Sequence, residues 1–210
     1  MNKFSNLKIV DFEYQFPKNY IDLFKNYSNL KSWNIEKTIK KTGIKRVYHT
    51  NENETALDLS VKACNKIIKN NNIDRNSIDS LIFVTQSPDY ILPTTACILQ
   101  DKLNLSKKIL AFDINLGCSG FVKSLSVATA LINSKIVNNT LIVCADTYSK
   151  YIDKNDKKNI PLFSDCASVC YLKKGGNLQI GPFEFGTDGK GSNNLIVKGS
   201  GTRKINSNEK

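Results

Sequence analysis

The chain has 210 residues, 40% of them hydrophobic, and its 30 Lys plus Arg against 19 Asp plus Glu give a net charge of +11. That length suits one domain, or one and a fraction, with enough apolar material for a core. No run approaches the roughly 18–20 apolar residues of a membrane helix, and the stretch from Met1 to Asn6 lacks a secretory signal's apolar core, so a cytoplasmic protein without membrane contact is expected.

The cysteines are Cys64, Cys97, Cys118, Cys144, Cys166 and Cys170, with no CxxC pair, and His49 is the single histidine. Zinc ligation is therefore poorly supported, no metal site is expected, and the spacing does not resemble a secreted disulfide framework. Arg46, Arg75 and Arg203 are the only arginines, and the lysines are scattered without interleaved aromatics. Nucleic-acid readout is disfavoured by that pattern, whereas phosphates or acidic proteins suit the positive field.

In chain order, Leu7–Glu13 reads as a first strand, broken by Pro17, with a short helix expected around Tyr20–Tyr27. Asn34–Lys41 reads as a Lys-rich helix that Gly43 ends as a C-cap, followed by a polar loop over 43–49. Residues 54–70 are the clearest helix, with Thr55 as cap and Ala56, Leu59, Ala63, Ile67 and Ile68 at helical spacing. Leu81–Val84 is a short all-apolar strand of the kind found in a parallel sheet covered on both faces, and Pro93 is expected near the first turn of the next helix. A strand over 109–114, a helix over 119–134, and a buried strand at Leu141–Ala145 with Cys144 as plain core follow. Lys150–Lys158 reads as a charged surface loop, Pro161–Leu172 as loop and strand, 178–185 and 194–198 as further strands, and the last twelve residues as an unstructured polar tail. Strands alternating with helices predict an α/β layered domain with a largely parallel sheet.

The organising stretch is Asp113-Ile114-Asn115-Leu116-Gly117-Cys118-Ser119-Gly120-Phe121, read as strand, tight turn and helix start. Gly117 and Gly120 permit a sharp turn and close packing. A thiol at a helix N-terminus meets unpaired N–H groups and the positive end of the macrodipole, which favour the thiolate and prepare a nucleophile. The other reading of any one of six cysteines is a small buried hydrophobe, and local context alone leaves both open.

This stretch resembles the active-site cysteine motif of the β-ketoacyl-acyl-carrier-protein synthase III family, of the thiolase-like superfamily. Four further segments match in order: Thr42-Gly43-Ile44 with Arg46; Asp79–Ile82 through Pro88-Asp89; Leu92-Pro93-Thr94-Thr95-Ala96-Cys97; and Leu162–Ser168. The match covers roughly residues 40 to 172. It implies a thiolase-like layered α/β fold with a mostly parallel or mixed sheet between helices. Residues 1–172 would be the N-terminal half carrying the nucleophile, and 173–210 the beginning of the second half with a polar tail. It also implies a decarboxylating Claisen condensation in fatty-acid or related acyl metabolism, by a cytoplasmic homodimer. No cofactor would be held permanently; acyl-coenzyme A or acyl-carrier protein would be substrate, and acyl-carrier protein a partner. Cys118 would carry the acyl group as a thioester, with its own N–H contributing to the oxyanion hole.

Leu92 corresponds to the side chain that reaches the partner subunit's acyl pocket, where a larger Phe is common. Lys37 and Lys41 stand where the family has a Trp and an Arg for coenzyme A, and with Lys157 they are candidates for its phosphates, as point charges rather than a stacking platform; Trp33 lies four places earlier. Ser164, Cys166 and Ser168 replace glycines of the family's loop. The condensing His and Asn belong to the family's second half, and His49 lies far upstream of that histidine. The resemblance thus implies acylation of Cys118 without full condensation by these residues; the alternative is an inactive fragment or a non-catalytic subunit needing a second chain, with apolar helix faces that favour oligomers or poor solubility. A related family, hydroxymethylglutaryl-coenzyme A synthase, uses a glutamate where Gln86 stands, and an amide cannot exchange a proton in its place.

Overall fold

The computed structural model describes residues 4–30 and 33–203. The first strand, β1 (Phe4–Gln15), is longer than its apolar pattern predicts. The ribbon β2 (Tyr20–Asp22) leads directly into α1 (Leu23–Tyr27), capped by Asp22, whose carboxylate accepts from the Lys25 N–H at 3.1 Å. Then α2 (Ile35–Thr42) runs between Asn34, whose side chain accepts from the Lys37 N–H at 2.9 Å, and Gly43 at φ +75°, the left-handed C-cap position expected of it. Next, β3 (Arg46–Tyr48) pairs antiparallel with β2. The sequence reading made 20–22 helical and 46–48 a loop. Three-residue strands carry no readable periodicity, and this ribbon is held by contacts between distant residues: Arg46 pairs with Asp22 at 3.6 Å and lies 4.8 Å over the Tyr20 ring. Leu23, Ile35 and Val47 form its own small core.

The long helix α3 (Ala56–Asn70) starts with a capping box, in which the Thr55 N–H donates to Asp58 Oδ2 at 3.0 Å and the Asp58 N–H to Thr55 Oγ1 at 3.4 Å. Then come β4 (Ser80–Val84), α4 (Thr95–Lys102), β5 (Leu110–Ile114), α5 (Gly120–Asn133), β6 (Asn139–Asp146), β7 (Cys166–Lys174) and β8 (Leu178–Ile180). Pro93 immediately precedes the cap residue Thr94, near the first turn of α4 as expected. Of the two late strands expected, 178–185 forms only at Leu178–Ile180, and 194–198 forms none: Leu195 and Ile196 are exposed, with no strand pairing among the described residues. Residues 199–203 lie outside helix and strand, and the rest of the expected tail lies outside the described residues.

The main sheet is mixed, in the order β5-β4-β6-β7-β1-β8. Its β5-β4-β6 side is parallel, and each pairing from β6 to β8 is antiparallel. Every residue of β4 is buried, as a strand covered on both faces must be. Alternate residues serve the two layers. Leu81 and Phe83, with Leu141, Val143, Val169 and Tyr171, pack under α3 and α4. Ile82 and Val84, with Ile142, Cys170 and Leu172, pack under α5 through Ala128 and Ile132. No helix among the described residues is long and apolar enough to cross a membrane.

The first turn of α5 lies so close to β4 that a Cβ on Gly120 would come within 2.4 Å of Val84 Cγ1. Gly120→Ala is expected to cost about 1–3 kcal/mol of stability through overpacking. Adding Val84→Ala should return part of that loss, because the pair shares one space. Urea unfolding of the two single variants and the double variant measures this; strictly additive losses would refute the contact.

Candidate active site

The parallel strands β4, β5 and β6 end on the same side of the sheet, and the segments leaving those ends meet there. This is the edge where α/β sheets place their ligands. From β5 the chain passes through Leu116, whose N–H donates to the Ile114 carbonyl at 3.0 Å, and turns into α5 with the Gly120 N–H on the Gly117 carbonyl at 2.7 Å. Cys118 is exposed and sits immediately before Ser119, the cap residue of α5, whose side chain makes no capping bond. Among the described residues no protein acceptor takes the N–H of Cys118. An exposed thiol therefore stands beside an unclaimed backbone donor at the start of a 14-residue helix, an arrangement that can attack a carbonyl and hold the oxyanion it creates.

At Gly117 the constraint is space rather than φ, and it is set by the end of one side chain, the Gln86 amide. A Cβ there would lie 2.5 Å from Gln86 Oε1 and 3.5 Å from the Tyr148 hydroxyl oxygen. Gln86 comes from the end of β4 and Tyr148 from the end of β6, and the Tyr148 hydroxyl donates to Gln86 Oε1. Burial, with the nearby charges of Asp146, Cys118 and Tyr151 adding to it, pushes the Tyr148 phenol up to about 12, so it is a donor at neutral pH.

Three carboxylates hold these segments. Asp146 Oδ1, at the end of β6, accepts from the N–H groups of Gln86 and Ser87 at 2.7 and 3.0 Å and from the hydroxyls of Thr85 and Ser87 at 3.0 and 2.9 Å. Burial nevertheless keeps the Asp146 pKa above its ordinary value, the hydrogen bonds pulling the other way. Asp165, fully buried, accepts from the N–H and hydroxyl of Thr50 at 2.7 and 2.8 Å and from those of Ser149 at 2.9 and 2.5 Å. It thereby ties the β2–β3 unit to the loop carrying Tyr148. Asp113 accepts from the N–H groups of Thr95 and Ala96, both at 2.7 Å, and so caps α4 from a neighbouring strand.

The predicted site residues are distributed unevenly around this centre. Leu92 is 85% exposed, in the loop between β4 and α4. Lys37 and Lys41 are exposed one turn apart on α2, in the unit that Asp165 ties to the site. Lys157 is half-buried in the segment between β6 and β7. Trp33 packs against Tyr27 with ring centroids 4.7 Å apart and belongs to the small core. Of the residues replacing glycines, Ser164 Oγ accepts from the Tyr48 N–H at 3.1 Å, Cys166 opens β7, and the Ser168 hydroxyl donates to the Cys144 carbonyl at 3.4 Å. Sequence reasoning missed Tyr148 and the roles of Asp146 and Asp165. An Asp closing an apolar strand was the available signal for Asp146; nothing in the pattern marked Tyr148.

A family model described as 3-oxoacyl-[acyl-carrier-protein (ACP)] synthase III matches residues 112–189. A putative 3-oxoacyl-[acyl-carrier-protein] synthase 3 of Campylobacter jejuni is 39% identical over 163 residues, covering 78% of this chain and 46% of that protein. The β-ketoacyl-[acyl-carrier-protein] synthase III of Fusobacterium nucleatum is 32% identical over 200 residues, covering 93% and 60%. A crystal structure of a 3-oxoacyl-(acyl-carrier-protein) synthase III matches with a TM-score of 0.87 at 39% identity, over 92% of this chain and 58% of that one. The structure of the 3-oxoacyl-(acyl-carrier protein) synthase from Burkholderia xenovorans LB400 does so at 0.87 and 32%, over 95% and 57%. The layered α/β fold is thus the thiolase-like one. The chain spans about half the length of the curated relatives it matches.

The raised pKa of Asp146 has a measurable consequence. Between the ordinary value of 3.8 and its higher value in the fold, the folded chain retains a proton that the unfolded chain releases, so this group's contribution falls as pH rises through that window. Asp146→Asn should remove that fall. Urea unfolding series from below pH 3.8 to neutrality, compared between the two proteins, test it; parallel curves would contradict the assignment.

Proposed function

This chain belongs to the 3-oxoacyl-[acyl-carrier-protein] synthase III family, and from that premise we propose that Cys118 accepts an acyl group from a thioester in the first half-reaction of a condensing acyltransferase. The Cys118 sulfur attacks the thioester carbonyl, the carbonyl oxygen takes the electron pair, and the Cys118 N–H holds it. The intermediate collapses by breaking the carbon–sulfur bond to the donor, whose sulfur leaves with the electron pair and takes up from water the equivalent of the proton that Cys118 gave up, and the acyl group stays on Cys118 as a thioester. The observation that carries this reading is the exposed thiol at the start of α5, beside a backbone N–H without a protein acceptor among the described residues.

The donor is acyl-coenzyme A or acyl-carrier protein. Lys37, Lys41 and Lys157 are the proposed contacts for coenzyme A phosphates, and the net charge of +11 suits an acidic carrier. The acyl-enzyme then receives the carbanion left when malonyl-carrier protein loses carbon dioxide, in fatty-acid or related acyl synthesis in the cytoplasm. The His and Asn for that step are those the resemblance places in the family's second half. In this division, residues 1–172 are the half that carries the nucleophile and 173–210 open the second. A homodimer fits the edge position of β5 and the exposure of Ile91 and Leu92 at 83% and 85%, Leu92 entering the partner's acyl pocket. A second reading, a subunit that acts only with another chain, is favoured by the exposed apolar side chains of Phe12, Tyr14 and Val122.

Incubation with short acyl-coenzyme A thioesters should add one acyl group to the intact mass of the 210-residue protein, and Cys118→Ala should abolish the adduct. An unmodified wild-type protein, or an adduct that survives Cys118→Ala, would sink the nucleophile assignment and leave the subunit reading. Light scattering should give a dimer or larger species; a monomer at micromolar concentration would contradict the proposed interface.

A further inference from the structure

We propose that Gln86 and Tyr148 are positioning residues for the nucleophile: the Tyr148 phenol holds the Gln86 amide against Gly117 and so fixes the turn on which Cys118 stands. The inference rests on the reading of Cys118 as the acylated thiol and deepens it.

The first support is spatial. Gln86 Oε1 lies where a Cβ of Gly117 would approach to 2.5 Å, and the Tyr148 hydroxyl oxygen follows at 3.5 Å. The residue preceding the nucleophile is thus walled by these two side chains. The second support is orientation. The Tyr148 hydroxyl donates to Oε1, and only one end of an amide can accept. The pair therefore selects one of the two amide orientations and turns Nε2 away from the phenol. Among the described residues no protein acceptor takes Nε2.

The third support is anchoring. The Gln86 N–H is fixed to Asp146 at 2.7 Å, in the same cluster that holds Ser87. Tyr148 is flanked by Thr147, whose N–H donates to Ser87 Oγ at 2.8 Å, and by Ser149, whose N–H donates to Asp165 at 2.9 Å. Its ring lies 5.4 Å from that of Phe163. Both partners thus hang from carboxylates, the half-buried Asp146 and the fully buried Asp165, and neither moves without breaking several bonds.

Acyl transfer is sensitive to such placement, because a displacement of about 1 Å at the reacting atom costs on the order of 100-fold in rate. A neutral phenol also fits this place. It completes the hydrogen bond without setting a second negative charge beside a thiolate. If the pair served only to fill space, its loss would lower stability and leave the chemistry of the folded protein intact. A positioning role predicts the reverse weighting.

The test is rapid-mixing acylation of Cys118 by a short acyl-coenzyme A, with alkylation by iodoacetamide across pH as a second readout that needs no acyl transfer. Tyr148→Phe and Gln86→Ala should each lower the maximal acylation rate about 10-fold or more, while half-saturation moves less than about 2-fold. The double variant should lose little more than the worse single one, since the two act as a unit. Gln86→Glu keeps an acceptor for the phenol but sets a carboxylate near the thiol, and should move the midpoint of Cys118 alkylation to higher pH. Wild-type rates in both single variants, or additive losses in the double, would overturn the proposal. Wild-type protein that never acylates would instead overturn the nucleophile reading itself. Should Gln86→Ala fail to fold by circular dichroism, Tyr148→Phe, which removes one oxygen, decides alone.

Discussion

The reactive end of this molecule depends on how closely α5 approaches β4. Protein interiors are packed to the density of organic crystals, so a helix start reaches a buried strand this closely only if a side chain is given up. Gly120 gives it up against Val84. Gly117, three residues earlier, does the same against Gln86, which continues β4 beyond its end. One strand and its extension therefore set both contacts that shape the turn. Cys118, lying between them, is held out to solvent with the backbone donors of the helix start around it.

Around that contact the loops are held by carboxylates rather than by apolar packing. Asp113, Asp146 and Asp165 each accept backbone N–H bonds from segments distant in sequence. Burying a charge is unfavourable unless donors compensate for lost water, and at Asp146 the compensation is incomplete, since burial outweighs the donors in its raised pKa. Such an arrangement suits the ends of parallel strands, where the chain must turn without regular hydrogen bonding and yet keep a fixed shape. A carboxylate that gathers several donors gives an irregular loop the definition that a ladder gives a strand.

How much of this was legible in the sequence follows from how local each cause is. The Cys118 turn could be read because strand, glycines and helix start lie within nine consecutive residues. The C-cap of α2 and the N-cap of α3 could be read for the same reason: Gly43 and Thr55 act within one turn, whereas the capping roles of Asn34 and Asp58 were found only in the fold. The β2–β3 ribbon could not, since Tyr20 and Tyr48 meet only in the fold. The run at 194–198 shows the opposite failure, apolar and extended in pattern but forming no strand among the described residues. At the site, Cys118 was visible and Gln86 was noticed only as the wrong acid. Tyr148 reaches the nucleophile turn from a different strand end, a relation that no spacing encodes. Lys37 and Lys41 were drawn from family positions, and charge pattern alone would not have singled them or Lys157 out of a lysine-rich chain.

The sheet order also bears on how the molecule assembles. β1 is made first, yet it pairs with β7, joining Leu7 to Lys174 and Gln15 to Ala167. Between them the parallel strands pair over shorter separations, Ser80 with Leu110 and Ser80 with Thr140. Contacts that close long loops form slowly, whereas local ones form fast. The β4–β6 unit with the Cys118 turn can therefore condense while β1, with its exposed Phe12 and Tyr14, still waits for a partner. Arrival of β7 supplies that partner, and Asp165, just ahead of it, reaches Thr50 and Ser149 at the same stage. Completion of the sheet and the tie from Asp165 to Thr50 and Ser149 thus belong to the same stage, whereas the contacts that fix the Cys118 turn all lie within residues 84–148, in the β4–β6 unit and the residues just after it.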